Sequence, residues 1–239
     1  GTGAWFYLKF QTPLYVSEAS ILIKDEKKGN DESKIAESLN LLSSKKIVEN
    51  EMEVLKSKEL MLKVVKNLNL YAQVFVHGRY RDASAYSSSP VSIEAQYPDS
   101  LKQVKKVFFS YDAASKKVII GNQQYAVGDW VNTPYGSLKF VLQNSGSIIK
   151  VPLYFSLFSP DNVAPGLVSS LNLLPASKES SVIELKLGDG VPKRSEDILN
   201  ELMKVYSDDA INDKNKLAAN TLSWLNERLG VVGHELDSI

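Results

Sequence analysis

An unbroken heptad repeat occupies the last 22 residues and constrains the fold more than any other feature of the chain. Its apolar residues recur at alternating spacings of four and three, at Ala218, Leu222, Leu225, Leu229, Val232, Leu236 and Ile239. We call these positions the seam, and their spacing is typical of a helix that packs lengthwise against another helix. The repeat still runs at Ile239 without a helix stop signal, which predicts that the chain is a fragment of a longer protein.

Two interpretations of the seam are open. It forms either one edge of a helical hairpin within a monomer or a surface for self-association. Gly230 and Gly233 favour the close approach of a partner helix. We therefore predict oligomerisation through five seam residues, Leu222, Leu225, Leu229, Val232 and Leu236.

The composition excludes several classes of function. Among 239 residues, Lys plus Arg and Asp plus Glu number 28 each, so net charge gives no reason to expect nucleic acid as a partner. The absence of cysteine excludes disulfides, thiol nucleophiles and thiolate metal sites. Only His77 and His234 offer an imidazole, and they lie far apart in sequence. We therefore predict no metal and no cofactor.

Motifs for catalysis are also missing. The phosphate-binding pattern GxxxxGK[ST], the dinucleotide pattern GxGxxG and the nucleophile elbow GxSxG do not occur. The cluster Gly188-Asp189-Gly190 lacks the lysine that would reach a phosphate. Carboxylates are numerous, but no spacing distinguishes a catalytic pair. We predict that this chain is not an enzyme.

One polar cluster has two readings. The cluster consists of Arg79, Arg81, Tyr80 and Tyr86, and its guanidinium and aromatic side chains are of the kinds that bind a sugar or a phosphate. The same residues also suit an exposed loop tip without a ligand, because this stretch interrupts the apolar pattern.

The N-terminus resembles the edge of a membrane segment. No run of 18 apolar residues occurs in the chain, so the sequence predicts no transmembrane helix within it. The first eight residues, GTGAWFYL, are small and aromatic, and Trp and Tyr prefer the level of lipid headgroups. They indicate either a transmembrane helix just before residue 1 or an ordinary first strand with exposed aromatic side chains.

The first half of the chain predicts a strand, two helices and a β-rich region. Residues Leu14–Lys24 alternate as a strand, and Asp25–Ser33 is a charged loop. Helices are expected over about Lys45–Lys56 and Lys58–Asn69, the second with Ser57 as its N-cap. A strand over Tyr71–Val76 comes next, and short strands separated by turns follow from Pro90 to Gln143.

The second half predicts a βαβ unit and a long helix. The unit consists of a strand over Lys150–Ser159, a helix that Asp161 caps and that runs to about Leu173, and a strand over Ser181–Leu187. Pro192 then opens a helix that extends to Ile239 unless the polar stretch Ser207–Lys216 interrupts it.

These elements predict the α+β class, with a mixed-sheet base domain, a long C-terminal helix and an all-β insertion. We expect the Leu14–Lys24 and Ser181–Leu187 strands to share one sheet. The predicted parts are the N-terminal part of the base domain, the β-rich insertion, the βαβ part of the base domain and the truncated long helix, at residues 1–77, 78–149, 150–190 and 191–239.

Three stretches resemble the bacterial polysaccharide co-polymerases, the chain-length determinant family. YLKFQTPLYVSEASILIK, residues 7–24, is similar to the strand that follows that family's first transmembrane helix. EMEVLKSKELMLKVVKNLNL, residues 51–70, resembles its next signature. The third stretch, Val182 to Leu236, contains Pro192 and the segment ANTLSWLNERL. Residues 78–150 are only loosely similar to the family.

The resemblance implies a location and a function. It implies a periplasmic domain of an inner-membrane protein, anchored through flanking helices that are absent here. It further implies ring-like homo-oligomers that control the length of exported capsular or exopolysaccharide, with a polymerase or an outer-membrane export protein as partner. The β-rich insertion and residues 198–239 are more similar to the type that carries a cytoplasmic tyrosine autokinase, whose motifs would lie beyond Ile239.

Two other functions stay open. One is an extracytoplasmic ligand-sensing or adaptor domain that controls a cytoplasmic tyrosine kinase, which requires a soluble ligand that raises the melting temperature. The other is a glycan-acting enzyme, which requires turnover by this chain alone. The leading hypothesis of a non-enzymatic scaffold requires oligomers of the full-length protein and an altered polymer size after deletion.

Overall fold

The structure of the protein is a computed structural model that describes residues 13–23, 46–143, 151–177 and 180–236, with side chains as far as residue 229. The helices are α1 (residues 46–55), α2 (Lys58–Asn67), α3 (Pro160–Ser170) and α4 (Pro192–Leu236). The strands are β1 (Tyr15–Leu22), β2 (Ala72–Val76), β3 (Ala83–Ser84), β4 (Val91–Ala95), β5 (Val104–Asp112), β6 (Lys117–Ile120), β7 (Gln123–Ala126), β8 (Trp130–Thr133), β9 (Gly136–Leu142), β10 (Leu153–Leu157), β11 (Leu171–Pro175) and β12 (Val182–Asp189). The aromatic stretch of residues 1–8 and the predicted loop of residues 25–33 lie outside the described residues.

The described strands form three sheets. Their orders are β1-β12-β11, β3-β2-β10-β5-β6-β7 and β4-β9-β8. The predicted α+β class with a long C-terminal helix is confirmed.

The predicted neighbourhood of the first and last strands is also confirmed. β1 pairs antiparallel with β12, with Tyr15 opposite Asp189 and Leu22 opposite Val182. Alternate residues of β12, namely Ile183, Leu185 and Leu187, are at most 1% exposed. The period-2 alternation in the sequence therefore places the apolar face of β12 in the core.

The prediction of a βαβ unit is wrong. β10 and β12 lie in different sheets, and every pair of named strands in the described part of the chain is antiparallel, so the mixed base sheet is absent as well. Helix α3 has Ser159 and not the predicted Asp161 at its N-cap, because Pro160 already begins the helix. It ends at Ser170 instead of Leu173, because Leu171 is already extended and begins β11. β11 then forms an antiparallel pair with β12, with Leu173 opposite Leu185.

The region of residues 90–143 is all-β, as predicted, apart from the three-residue 3₁₀ helix Pro98–Ser100. Its strands also pair with strands from outside this region, however. β10 lies between β2 and β5, so strands from three of the predicted parts share the six-stranded sheet. The boundaries of the predicted parts remain a prediction.

Helix α2 confirms the reading of its sequence. Ser57 caps it, with Oγ accepting a hydrogen bond from the Leu60 amide at 3.3 Å. Its buried face consists of Leu60, Met61, Val64 and Val65. At the N-terminus of α2, the Lys58 Nζ lies 2.6 Å from the Asp161 carboxylate in the first turn of α3.

Helix α4 runs without a break for 45 residues, so the polar stretch Ser207–Lys216 does not interrupt it. The part up to Leu202 belongs to one compact unit and buries Ile198, Leu199 and Leu202. The part from Met203 onward forms a separate unit.

Candidate functional sites

The predicted seam lies on the exposed surface of α4 wherever its side chains are described. Leu222, Leu225 and Leu229 are 62%, 44% and 68% exposed. The backbone at Val232 and Leu236 is helical, whereas their side chains and the whole of Ile239 lie outside the described part. Exposed leucines at heptad spacing are unusual on a solvated helix, which makes this face a candidate interface.

One apolar residue precedes the seam in the same register, although the position between it and Ala218 is the polar Asn215. Ile211 lies seven residues before Ala218 and is 54% exposed. Leu217 and Trp224, each one position before a seam residue, are also exposed and widen the apolar face. The register of Ile211 can be found in the sequence, but the five polar residues that follow it do not continue the apolar repeat.

A second candidate site lies on one face of the six-stranded sheet. Three aromatic side chains stand in a row on adjacent strands, because Tyr154 of β10 is opposite Phe75 of β2 and Phe108 of β5. The Phe75 and Tyr154 rings are stacked, with centroids 5.1 Å apart, and Phe108 meets Tyr154 edge-on at 5.9 Å. His77, just after β2, adds a fourth ring 5.5 Å from Phe108. We call these four residues the ring cluster.

Asp82 connects the ring cluster to a lysine. Its carboxylate accepts hydrogen bonds from the Tyr154 hydroxyl at 2.9 Å and the Lys106 ammonium at 2.9 Å, and it lies 2.6 Å from His77 Nδ1. The same His77 Nδ1 lies 3.1 Å from the Lys106 Nζ, so Asp82, His77 and Lys106 form one polar cluster. The donors His77, Lys106 and Tyr154 together hold the pKa of Asp82 well below its usual range.

Tyr154 has the opposite shift. Burial, followed by the hydrogen bond to ionised Asp82, raises the pKa of Tyr154 to about 12. The hydroxyl therefore stays protonated at neutral pH and donates to Asp82.

A β-bulge brings Lys106 over the rings. Between β10 and β5, Phe155 pairs with Val107 and Leu157 with Val104, so Lys105 and Lys106 together face Ser156. The Ser156 hydroxyl donates to the Lys105 carbonyl at 2.6 Å. The Lys106 Nζ lies 4.3 Å from the Tyr154 ring centroid and 5.3 Å from that of Phe108.

The loop between β2 and β3 carries part of the predicted sugar or phosphate cluster. A Cβ at Gly78 would lie 2.1 Å from the Arg81 carbonyl oxygen, so this tight loop requires glycine there. Arg79, Tyr80 and Arg81 are exposed, and the Arg79 guanidinium lies 5.8 Å from the Tyr80 ring centroid.

The structure separates Tyr86 from the rest of that predicted cluster. Its hydroxyl donates to Asp197 at 2.9 Å, and burial, followed by that bond, raises the pKa of Tyr86. Tyr86 lines a cavity of about 250 Å³ together with residues of α2, β2 and β4. The cavity is also lined by Gln143, whose buried Oε1 has no hydrogen-bond partner in the described part of the structure, and by Arg194, whose Nε donates to Asp189 at 2.8 Å.

Neither a metal centre nor a membrane span is found in residues 13–23, 46–143, 151–177 and 180–236. They contain no group of three or more His, Asp or Glu side chains placed to hold a metal ion. Among these residues, no helix has the length and apolar character needed to cross a membrane.

Together these features define an α+β protein with an exposed apolar helix face and a charged aromatic surface. A family model described as "Wzz: Chain length determinant protein" matches residues 1–68, a stretch that includes β1, α1 and α2. This match, over less than a third of the 239 residues, supports the polysaccharide co-polymerase family and a chain-length determinant role in polysaccharide biosynthesis. It is consistent with a chain that is not an enzyme. No curated protein matches the chain.

Proposed function

We propose that this chain is the periplasmic domain of an inner-membrane polysaccharide co-polymerase, which oligomerises and regulates the chain length and export of capsular or exopolysaccharide. The observation that carries the proposal is the match of residues 1–68 to the chain-length determinant model. The antiparallel pairing of β1 with β12 supports it further, because both strands lie in stretches whose sequence resembles the family.

Oligomerisation is assigned to the seam. The exposure of Leu222, Leu225 and Leu229 leaves apolar surface that a neighbouring copy would remove from water. Anchoring of each copy in a membrane raises the effective concentration of its neighbours, so a modest helix contact suffices for assembly. The partners in this proposal are further copies of the chain and a polymerase or an outer-membrane export protein.

Deletion and complementation in the producing cells test the regulatory function. We expect loss of the gene to change the size distribution of the exported polysaccharide on a gel, and full-length protein to restore it. The full-length protein, purified in detergent, should elute as an oligomer in size-exclusion chromatography with light scattering. A normal polymer profile in the deletion strain would contradict the proposal.

The cavity beside Tyr86 favours a second candidate, a ligand-sensing or adaptor domain that controls a cytoplasmic tyrosine kinase. Its partly polar lining and the unpartnered Gln143 Oε1 suit a small polar ligand. A screen of monosaccharides and nucleotide sugars by thermal unfolding tests it, because a bound ligand raises the melting temperature. If no compound in the screen raises it, this candidate loses its support.

A further inference from the structure

The ring cluster presents one aromatic side chain to solvent. Phe108 is 49% exposed, although its neighbour Tyr154 in the same row is only 7% exposed. The His77 ring stands at 72° to the Phe108 ring. The two rings therefore form a floor and a wall, and the weakly positive C–H groups of a sugar ring pack well on such a negatively charged aromatic face.

The polar groups around Phe108 supply both donors and acceptors. The Lys106 ammonium has three N–H donors; its Nζ contacts Asp82 at 2.9 Å and His77 Nδ1 at 3.1 Å, so at least one N–H is left for a ligand. Asp82 is ionised and holds both Lys106 and His77 in place without a ligand. A polyhydroxylated ligand needs both kinds of group close to an apolar face, which is the combination found here.

Cations accompany the Asp82 carboxylate at this site. Arg79 in the loop and Lys106 over the rings are positively charged, whereas the chain as a whole has a formal net charge of zero. The Arg79–Arg81 segment lies in the loop that Asp82 fastens to the ring cluster. Guanidinium groups bind carboxylates and phosphates in a paired geometry, so this surface favours an anionic ligand over a neutral one.

We propose that the ring cluster and the Arg79–Arg81 loop form a binding site for an acidic polysaccharide. Sugar rings stack on Phe108 beside His77, and the acidic groups of the polymer meet Lys106 and the arginines. An anionic lipid surface offers charge but no sugar ring to stack on the exposed face of Phe108, so the aromatic floor favours the polysaccharide. The inference rests on the proposed function only in taking the exported polymer as the ligand.

The chain offers a matched control surface. Trp130 of β8 is 47% exposed, and the Lys139 ammonium lies 5.8 Å from its ring centroid and 3.9 Å from the Glu94 carboxylate. This pair thus repeats an exposed ring with a lysine on another sheet, without the second ring and the arginine loop. Its substitution tests whether any exposed aromatic–lysine pair suffices.

Binding is measured by isothermal titration calorimetry with the purified chain. The probes are the polysaccharide exported by the producing cells, cut into oligosaccharides, and the same material after chemical neutralisation of its acidic groups. We expect the acidic oligosaccharides to bind the wild type, and Phe108→Ala and Lys106→Ala each to weaken binding at least tenfold. Trp130→Ala and Lys139→Ala should bind within about twofold of the wild type.

A loop variant keeps the test valid if a strand substitution perturbs folding. Arg79→Ala with Arg81→Ala changes only exposed loop positions, and it should weaken binding of the acidic oligosaccharides and reduce its dependence on salt. Circular dichroism and the melting temperature confirm the fold of each variant.

Four results would contradict the proposed binding site. The inference is overturned if the exported polymer carries no acidic groups, if neutralised oligosaccharides bind equally well, or if the wild type binds none. Binding to phosphatidylglycerol vesicles in place of oligosaccharides overturns it as well. The deletion experiment on polymer size is independent of all these results, so this site can fail while the proposed function stands.

Discussion

At the scale of residues, the ring cluster depends on contacts between side chains that are distant in sequence. His77 and Asp82 are five residues apart, but Lys106 and Tyr154 join them only through the order of β2, β10 and β5. The sequence pattern indicated a site at Arg79 and Arg81 and did not predict the ring cluster. No local pattern predicts the bulge that brings Lys106 over Tyr154, because the bulge exists only relative to the pairing of β10 with β5.

The shifted titration of Tyr154 makes stability depend on alkaline pH. Its pKa is about 12 in the folded chain and about 10 for an ordinary tyrosine. Between these values the unfolded chain loses a proton that the folded chain keeps, so we expect the free energy of unfolding to fall as pH rises from 10 to 12.

Urea unfolding at pH 8, 10 and 11 measures this dependence, with Tyr154→Phe as the reference. The variant has no phenol at this position, so its stability should fall less steeply over the same interval. Burial also raises the pKa values of Tyr71 and Tyr125, and only the difference between the two proteins reports on Tyr154. Equal slopes would contradict the assignment.

At the scale of elements, a helix or strand was predicted correctly where the sequence pattern that indicates it lies within that element. The N-cap and buried face of α2 were predicted correctly because both follow from spacing within one helix. The alternation of β12 was equally local. β11 was missed because Ser-Ser-Leu-Asn-Leu-Leu continues a helical pattern, and only its pairing with β12 makes the segment a strand.

The cap of α2 can be tested against a matched position. Ser57→Ala removes the acceptor for the Leu60 amide, and we expect a loss of about 1 kcal/mol in unfolding free energy. Ser159 caps α3 by position, but its side chain makes no capping hydrogen bond. Ser159→Ala should therefore cost clearly less, as measured by urea denaturation. Equal losses would show that the Ser57 hydroxyl contributes nothing specific.

The central position of β12 predicts a large effect for Leu185. This side chain is fully buried and lies between Ala19 of β1 and Leu173 of β11. Leu185→Ala leaves a cavity in the core, and we expect a loss of about 3 kcal/mol in unfolding free energy.

Leu174 on β11 provides the control, because it is apolar, lies in the same sheet and is 47% exposed. Leu174→Ala should change the unfolding free energy by less than about 0.5 kcal/mol. Thermal and urea unfolding of both variants measure the difference. If the two losses are similar, β12 does not form the centre of this core.

At the scale of the whole molecule, the proposed assembly depends on the seam, an exposed face of α4. Heptad spacing was evident from the sequence, and the structure adds that Leu222, Leu225 and Leu229 are exposed. What a heptad repeat leaves undetermined is the partner, because the same seam serves a hairpin within one chain and a contact between copies.

Two aspartates in the seam should abolish assembly of the full-length protein. Leu225→Asp with Leu229→Asp places two charges on the face that the proposal buries, and each is costly to remove from water. We expect higher oligomers to be lost in size-exclusion chromatography with light scattering, and polymer length in cells to shift.

The matched control adds two charges to the same helix away from the seam. Asn220→Asp with Ser223→Asp alters exposed positions in the same segment and should leave oligomers and polymer length unchanged. Circular dichroism of the 239-residue chain checks that both double variants fold. Oligomers of native size and normal polymer length in the folded seam variant would show that the seam is not the assembly surface.

The pairing of β1 with β12 has a consequence for how the chain is made. Leu22 lies opposite Val182, so the two halves of this ladder are separated by about 160 residues of polypeptide. A ribosome that adds about 5–20 residues per second needs roughly 8–30 s to synthesise that interval. For all of that time β1 has been synthesised without the strand it pairs with. This first sheet is therefore completed late in biosynthesis, after nearly the whole chain up to β12 has been made.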